Sequence, residues 1–266
     1  MILLILIIIS LSYAYDENFV KHCVNLAQST YCVTSTEEWN CKTCESSIKL
    51  EYIVENSGSK AIQGFDKYTN SLFVSFPGSS NLHNWIENIQ VNKISPYNNS
   101  VEIEKGFYKA YNFIKKDMII NLSLLTKKYN TNKLLITGHS LGGAMATIMT
   151  YDILNLFPEY NIIYSITFGS PRVGNNEFAN DFNKYNITSY RLTHYYDIVP
   201  HLPEEFLKYK HISNEIWYNE DNSKYKICND LNNEDNNCSN SCSPLHCTSA
   251  DDHLNYLNTT MGNDSC

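Results

Sequence analysis

One serine of the chain lies in a sequence context that could make it a nucleophile. Ser140 is the middle residue of GHSLG, a G-x-S-x-G pattern, with the apolar run 134–137 before it and an apolar helical pattern that ends at Pro158 after it. The pattern is weak alone, but a preceding strand and a following helix are the context of a nucleophile elbow. Glycine is the expected residue at positions 138 and 142, because the sharp turn around Ser140 leaves no room for Cβ atoms there. The helix start would then favour a developing oxyanion beside Ser140.

A serine hydroxyl is a poor nucleophile at neutral pH, so it needs a histidine base and an acid that orients the base. When a nucleophile elbow of this type lies on a mainly parallel sheet, the serine comes first in the chain, the acid second and the histidine third. Asp197 is the candidate acid because it directly follows the apolar-rich run YRLTHYY. The candidate bases are the histidines after it: His201, His211, His246 and His253. Since His201 is only four residues past the acid, the spacing favours His253 and leaves His246 and His211 open.

The stretch PGSSNLHNWIENI, residues 77–89, begins as a turn and continues as a short amphipathic helix. Its apolar residues recur at helical spacing, and the polar residues between them face the other way. The apolar residues are Leu82, Trp85, Ile86 and Ile89. Spacing alone favours ordinary packing on the core.

Regular elements must position these residues, and the chain predicts alternating strands and helices. IKLEYIVE and SLFVSF (71–76) have the pattern of strands, and residues 106–129 carry apolar side chains at the spacing of an amphipathic helix. The segments IIYSITFGSP and SYRLTHYYDIVP repeat the strand-then-turn pattern after the nucleophile segment. This order predicts a mainly parallel sheet with helices on its faces and functional groups at the carboxyl ends of the strands. The Asn-rich stretch near 219–240 predicts a loop.

Length and composition predict a single globular domain. The chain has 266 residues, of which 43% are hydrophobic and 18% charged, enough to build a sizeable core. Its formal net charge is −8 and it contains no basic run, which argues against nucleic acid as a partner. The same acidity gives no electrostatic help on an anionic membrane, so contact with lipid must depend on apolar burial.

The first residues, MILLILIIISLSYA, predict a signal peptide cut after Ala14, so the mature domain is residues 15–266. The segment is too short to span a bilayer, and no other segment is long and apolar enough to do so. We therefore expect a protein that works outside the cytosol, secreted or in the lumen of the secretory or lysosomal pathway. Sequons that could be glycosylated begin at Asn98, Asn121, Asn186, Asn237, Asn258 and Asn263.

The nine cysteines cluster near the two ends of the chain and leave the middle empty. This distribution predicts disulfides that pin the termini onto a core, as expected in an oxidising compartment. A zinc site built from the late cysteines and His246 is a weaker alternative. Because nine is odd, one thiol stays unpaired or pairs with another molecule.

Seven ordered stretches make the sequence similar to the class 3 lipases, a secreted type best known from filamentous fungi. They are YCVTSTEEWNCKTC, SLFVSFPGSSNLHNWIENI, KGFYKAYNFI, KLLITGHSLGGAMATI, TFGSPRVGN, YRLTHYYDIVPHLP and DDHLNYL. The resemblance implies an α/β-hydrolase fold that cleaves carboxylic esters of lipids without a cofactor or a metal. It places the nucleophile at Ser140, the acid at Asp197 and the base at His253, and it places oxyanion donors at Ser79 and Leu141.

The resemblance also implies that the short helix with Leu82, Trp85, Ile86 and Ile89 is a lid that opens at a lipid–water interface. It implies disulfides between Cys41 and Cys44, between Cys32 and Cys266, and between Cys228 and Cys238. A Cys242–Cys247 pair is our further expectation. The chain departs from the family at Pro77, where the fungal relatives usually have arginine, and this departure bears on the hinge of the lid.

The expected function is therefore a secreted triacylglycerol lipase whose partner is a lipid ester at an interface. A feruloyl-type carbohydrate esterase or a phospholipase could use the same nucleophile below a different surface. A binding protein that kept the scaffold and lost catalysis is the alternative from another class, because a fold alone does not prove activity. The sequence leaves the oligomeric state open.

Overall fold

The computed structural model of the protein describes residues 15–229, 233–242 and 246–266, and the expected signal peptide lies outside these ranges. The described strands are β1 (Ile48–Asn56), β2 (Ser59–Asp66), β3 (Ser71–Phe76), β4 (Lys93–Ile94), β5 (Ile103–Glu104), β6 (Lys133–His139), β7 (Asn161–Phe168), β8 (Ser189–His194), β9 (Glu215–Tyr218), β10 (Tyr225–Ile227), β11 (Asn255–Tyr256) and β12 (Thr259–Thr260). The described α-helices are α1 (Glu17–Cys32), α2 (Leu82–Glu87), α3 (Lys105–Tyr129), α4 (Leu141–Leu156), α5 (Asn176–Phe182) and α6 (Ala250–His253).

Eight strands form one sheet in the order β1-β2-β3-β6-β7-β8-β9-β10. The central strands from β3 to β9 are parallel, which confirms the expected mainly parallel sheet. Both edges are antiparallel, through β1–β2–β3 on one side and β9–β10 on the other. The loop prediction for 219–240 is therefore wrong at β10, where pairing with β9 supplies backbone partners that the polar composition does not reveal.

Helices cover both faces of the sheet, as expected. On one face α3, α4 and α5 pack on a core that contains Val74, Leu134 and Ile136. On the other face α1 packs on Phe73, Leu135 and neighbouring apolar residues. Because adjacent residues of β3 and β6 point to opposite faces, each strand contributes side chains to both cores.

The long amphipathic helix predicted over 106–129 is α3, and its boundaries follow from its caps. The Glu104 carboxylate accepts a hydrogen bond from the Phe107 N–H at 2.6 Å, and Asn130 ends the helix in the left-handed region with φ 50°. The predicted stripe is buried against the sheet: Phe107, Tyr111, Ile114, Met118, Leu122 and Leu125.

Four disulfides are present in the described residues: Cys32–Cys266, Cys41–Cys44, Cys228–Cys238 and Cys242–Cys247. The first joins the end of α1 to the last residue, across a sequence separation of 234 residues. Closing so long a loop lowers the entropy of the unfolded chain, by about 5 kcal/mol in the chain-entropy model. The late cysteines are consumed by disulfides and offer no thiolates to a metal. Cys23 is free and buried, and its burial raises the pKa of the thiol.

A buried histidine ties α1 to the sheet. His22 Nδ1 lies 2.6 Å from Glu45 Oε2, and His22 Nε2 lies 3.0 Å from Asp66 Oδ2. Burial alone would lower the pKa of His22, but the hydrogen bonds and charges of Asp66 and Glu45 raise it to about 9. The imidazolium form is therefore part of the native structure at neutral pH.

This cluster predicts that stability falls on the alkaline side. Because the folded pKa is raised, the contribution of His22 is complete below its ordinary pKa of 6.5 and is lost as pH rises through about 9. The contribution is on the order of 3 kcal/mol, from about 1.4 kcal/mol per pKa unit. Urea unfolding should give His22→Gln a lower free energy of unfolding than wild type at about pH 6. Most of this difference should be absent at about pH 10. His83→Gln, on the exposed side of α2, is the control. A gap that is unchanged at the higher pH would contradict the prediction.

Candidate active site

Ser140 lies at the tight turn between β6 and α4 in a backbone conformation that few residues adopt. Its φ is 58° and its ψ is −127°, and its N–H donates to the Phe168 carbonyl at 2.9 Å. A positive φ in a non-glycine residue is strained and persists only where the surroundings impose it. The serine therefore has the strand–turn–helix context and the strained backbone of a nucleophile elbow.

His253 and Asp197 form a buried pair beside this turn. His253 Nδ1 lies 3.0 Å from Asp197 Oδ1 and 2.9 Å from Asp197 Oδ2. Burial would raise the pKa of Asp197, but His253, together with hydrogen bonds from Tyr256 and from the Val199 N–H, holds that pKa below its usual range. Asp197 therefore remains a carboxylate and keeps the proton of the imidazole on Nδ1.

The remaining atoms of this constellation are unpaired. Ser140 Oγ and His253 Nε2 are both buried, and neither has a hydrogen-bond partner among the described residues. The His253 ring packs against the ring of His139, the residue before Ser140, with the centroids 4.5 Å apart. Buried polar atoms without partners are rare and call for an explanation, and a nucleophile and a base awaiting substrate provide one.

Two of the other candidate bases, His201 and His211, have different contacts. His211 Nε2 lies 2.7 Å from the Pro200 carbonyl, and the His201 carbonyl accepts a hydrogen bond from Arg172 at 2.6 Å. Neither ring contacts Asp197 through a hydrogen bond in the described part of the chain. His253 is the candidate base whose hydrogen bonds to Asp197 the structure shows.

Two supports of the acid were not anticipated from the sequence. The Tyr256 hydroxyl donates to Asp197 Oδ2 at 2.5 Å. The segment after the acid is held by Arg172, whose guanidinium donates to both carboxylate oxygens of Glu234 at 3.0 Å and to the carbonyls of His201 and Pro203. Tyr256 belongs to DDHLNYL and Arg172 to TFGSPRVGN, so the block resemblance was the available signal, although it did not give their contacts.

The two expected oxyanion donors lie on either side of the serine. Leu141 is the first residue of α4, so its N–H has no acceptor within the helix and lies at the positive end of the helix dipole. Ser79 lies between β3 and α2, and its hydroxyl is within 3.3 Å of both the N–H and the carbonyl of Asn81. Its side chain is therefore engaged with the residue that caps α2.

A cavity of about 530 Å³ opens beside these donors, with Ser79, Leu141 and Met145 in its lining. A larger cavity of about 640 Å³ lies near the starts of β7 and β8, lined by residues such as Asn161 and Tyr190. The larger cavity contains none of the candidate catalytic residues. Chemistry rather than size therefore locates the site, at the carboxyl ends of the parallel strands.

The expected lid helix is α2, and it is held lightly. No residue of α2 is buried, and Leu82, Trp85, Ile86 and the following Ile89 are half-buried. Trp85 stacks on Phe107 with the ring centroids 6.1 Å apart. Downstream, β4 pairs with β5 and fixes the end of this segment. The apolar stripe therefore faces the protein, as both the core and the lid interpretations require.

Comparison with known proteins identifies the family. Residues 73–207, about half of the 266-residue chain, match the family model for lipase (class 3). The chain belongs to the class 3 lipase family. It is 29% identical over 260 residues to a lipase of Rhizomucor miehei, an alignment that covers 93% of this chain and 70% of that protein.

Solved structures agree with this assignment. A triacylglycerol lipase described as having a serine protease triad as its catalytic centre is 29% identical with a TM-score of 0.83, covering 92% of this chain and 96% of that one. A fungal lipase–inhibitor complex, described as a model for interfacial activation, is 29% identical with a TM-score of 0.82, covering 92% and 95%. The fold is that of an α/β-hydrolase, and the protein is a serine carboxylic ester hydrolase. In the described ranges, no helix is long and apolar enough to cross a bilayer.

The enzyme needs a glycine next to its histidine–acid pair, and this requirement can be tested. Gly169 has φ +55°, and a Cβ there would lie 2.8 Å from His253 Nδ1 and 2.9 Å from Asp197 Oδ2. We expect Gly169→Ala to lower kcat/KM on a soluble ester about 100-fold, because a displacement of about 1 Å in a catalytic group can have this effect.

Gly58→Ala is the matched control. Gly58 has φ +81° but nothing lies within 4 Å of the added Cβ, so this variant carries the backbone strain without the clash. It should lose about 1 kcal/mol of stability and keep its activity. Equal activity in the two variants would contradict the positioning role of Gly169.

Proposed function

We propose that the protein is a secreted lipase that hydrolyses triacylglycerols through Ser140, His253 and Asp197, with α2 as a lid. The observation that carries this proposal is the pair of buried, unpartnered atoms, Ser140 Oγ and His253 Nε2, next to a histidine–carboxylate pair. The relatives described above are a lipase of Rhizomucor miehei, a triacylglycerol lipase and a fungal lipase described as a model for interfacial activation, and these descriptions support the same assignment here.

In the first half of the reaction, His253 Nε2 takes the proton of the Ser140 hydroxyl as the oxygen attacks the ester carbonyl. Asp197 stabilises the imidazolium that forms and holds the ring in its orientation. The N–H groups of Leu141 and Ser79 receive the tetrahedral oxyanion, and each such donor typically contributes about 3 kcal/mol to the barrier reduction. His253 then protonates the leaving alcohol, and an acyl group remains on Ser140.

In the second half, water replaces the alcohol. His253 removes a proton from the water as it attacks the acyl carbonyl, and the same N–H groups stabilise the second oxyanion. The Ser140 oxygen recovers its proton from His253 and the fatty acid leaves. No cofactor is required by this scheme.

The substrate class follows from the surface above the site. The half-buried stripe of α2 exposes more apolar area if the helix swings away, and a lipid surface is the partner that would cover this area. A polar plant-wall ester would gain nothing from such a cover. The contact between Ser79 and Asn81 supports coupling of lid position to the oxyanion site, because it joins one oxyanion donor to the cap of α2.

The nucleophile is tested by Ser140→Ala. We expect hydrolysis of soluble and emulsified esters to fall by about four orders of magnitude or more, since the base has no nucleophile to activate. A fluorophosphonate probe should label wild type at Ser140 and should not label the variant. Ser223→Ala, on an exposed turn, is the control and should behave as wild type. Absence of labelling in folded wild type, with ester hydrolysis equal in Ser140→Ala, would establish a non-catalytic binding protein instead.

The lid is tested by Trp85→Ala. We expect activity on an emulsified long-chain triacylglycerol to fall at least about tenfold, because the side chain that contacts lipid is lost, with little change in thermal stability. Ile227→Ala, an exposed apolar residue on β10, is the matched control and should leave both unchanged. A parallel loss of stability and activity in Trp85→Ala would favour the core-packing interpretation. Equal wild-type rates on short soluble esters, phospholipids or feruloyl esters would reassign the substrate.

A further inference from the structure

A chain of hydrogen bonds connects the oxyanion loop to the residue that carries the base. The Gly78 N–H donates to the Tyr31 hydroxyl at 2.6 Å, and the Tyr31 hydroxyl lies 2.7 Å from His139 Nδ1. His139 Nε2 lies 2.9 Å from the His253 carbonyl oxygen. Gly78 precedes the proposed oxyanion donor Ser79, and His139 precedes Ser140, so these hydrogen bonds connect the segments that carry the proposed oxyanion donor, nucleophile and base.

The direction of every bond in this chain is fixed. A backbone N–H can only donate, so the Tyr31 hydroxyl accepts from Gly78, and its single proton is available for His139 Nδ1, which carries no proton when the neutral ring is protonated on Nε2. A carbonyl oxygen can only accept, so His139 carries its own proton on Nε2 and donates it to His253. One neutral tautomer of His139 therefore satisfies the whole chain, without an alternative arrangement.

The charge states agree with this tautomer. Burial, together with the neighbouring His253, lowers the pKa of His139 to about 3, so the ring stays neutral wherever the enzyme works. Burial raises the pKa of Tyr31, so the hydroxyl keeps the proton that it donates. The protonation states of Tyr31 and His139, and with them the direction of these hydrogen bonds, therefore do not change with pH while the proposed catalysis takes place.

The two ends of this row of hydrogen bonds lie where they can set the geometry of the proposed catalytic residues. A Cβ at Gly78 would lie 2.4 Å from the Tyr31 hydroxyl oxygen and 2.6 Å from Ser140 Cβ, so the loop is in direct contact with both residues. At the other end, the His253 ring packs at a tilt of 32° against the His139 ring, and the His253 backbone carbonyl accepts a hydrogen bond from the same residue. Tyr31 is adjacent to Cys32, whose disulfide with Cys266 fixes the end of α1.

We infer that Tyr31 and His139 are positioning residues that hold the oxyanion loop and the His253 backbone in register with Ser140. Neither residue transfers a proton or receives the oxyanion in the proposed scheme, and both act through Gly78 and His253. The inference depends on the proposed function, since it assigns these residues to the same ester hydrolysis. Their loss should lower the rate of the steps that pass through the oxyanion and should leave ground-state binding of substrate nearly unchanged.

The test is the kinetics of Tyr31→Phe, His139→Gln and the double variant on a soluble short-chain p-nitrophenyl ester. We expect kcat to fall about 10- to 100-fold in Tyr31→Phe, the range for a lost contribution to oxyanion geometry, with KM within about twofold of wild type. Inactivation by a fluorophosphonate, which also passes through an oxyanion, should slow by the same factor. The double variant should lose little more than the worse single variant, because the residues act as one unit.

Tyr151→Phe is the matched control. Tyr151 is a buried tyrosine of α4 whose hydroxyl donates to Asp181 at 2.5 Å, and Asp181 lies outside the candidate catalytic constellation. This variant should lose thermal stability to a similar extent and keep kcat within about twofold of wild type. Equal kcat losses in Tyr31→Phe and Tyr151→Phe would show a merely structural role and overturn the inference.

The remaining outcomes are also decisive. An active, labelled wild type whose kcat is unchanged by Tyr31→Phe would overturn the positioning role and leave the proposed function intact. A wild type that is neither active nor labelled would overturn the proposed function and the inference with it. If Tyr31→Phe does not fold, the kcat of His139→Gln tests the inference instead, because this variant changes the residue that follows Tyr31 in the same row of hydrogen bonds.

Discussion

The close approach of three backbone segments around Ser140 is the constraint on which the rest of the site depends. A Cβ at Gly138 would lie 2.3 Å from the Gly142 carbonyl oxygen, and one at Gly142 would lie 2.3 Å from the Phe76 carbonyl oxygen. The ends of β3 and β6 and the start of α4 therefore meet without intervening side chains. This contact gives Ser140 its positive φ, brings the N-terminus of α4 to the site and places the Ser79 loop beside it.

Features governed by local sequence could be predicted. The periodic stripe of α3, the apolar strand β6 and the G-x-S-x-G context each depend on residues close together in the chain, so spacing alone indicated them. The outermost strand β1 was also indicated by its alternating pattern, but β2 and the opposite edge strand β10 were not. Gly64 lies within β2, where a Cβ would be 2.0 Å from the Lys49 carbonyl oxygen, and β10 depends on β9 for its pairing. Such strands are defined by their partners more than by their own composition.

The identity of the candidate base shows the same limit within the candidate site. Several histidines follow Asp197 and are chemically alike, so the residues alone left the choice open, and only the family resemblance favoured His253 clearly. What distinguishes His253 is long-range pairing: Asp197 forms a parallel bridge with Ser249, and this bridge starts the turn that leads into α6. The contacts of Tyr256 with Asp197 and of Arg172 with Glu234 likewise join residues about sixty positions apart. No local pattern encodes them.

The proposed lid combines local signal and tertiary constraint. Its amphipathic spacing was visible in the sequence, yet spacing could not say whether the stripe is fixed or mobile, because both states bury it. Burial in the structure is slight, and α2 has six residues, too few for a helix to be stable without packing.

Pro77 fixes φ at the upstream end and is buried against Gly142, so rotation there is restricted. The proposed movement of α2 would then occur beyond Gly78, in the segment that contains Ser79 and Asn81. The position of the proposed lid and the orientation of Ser79, the proposed oxyanion donor, would therefore be set by the same few backbone angles.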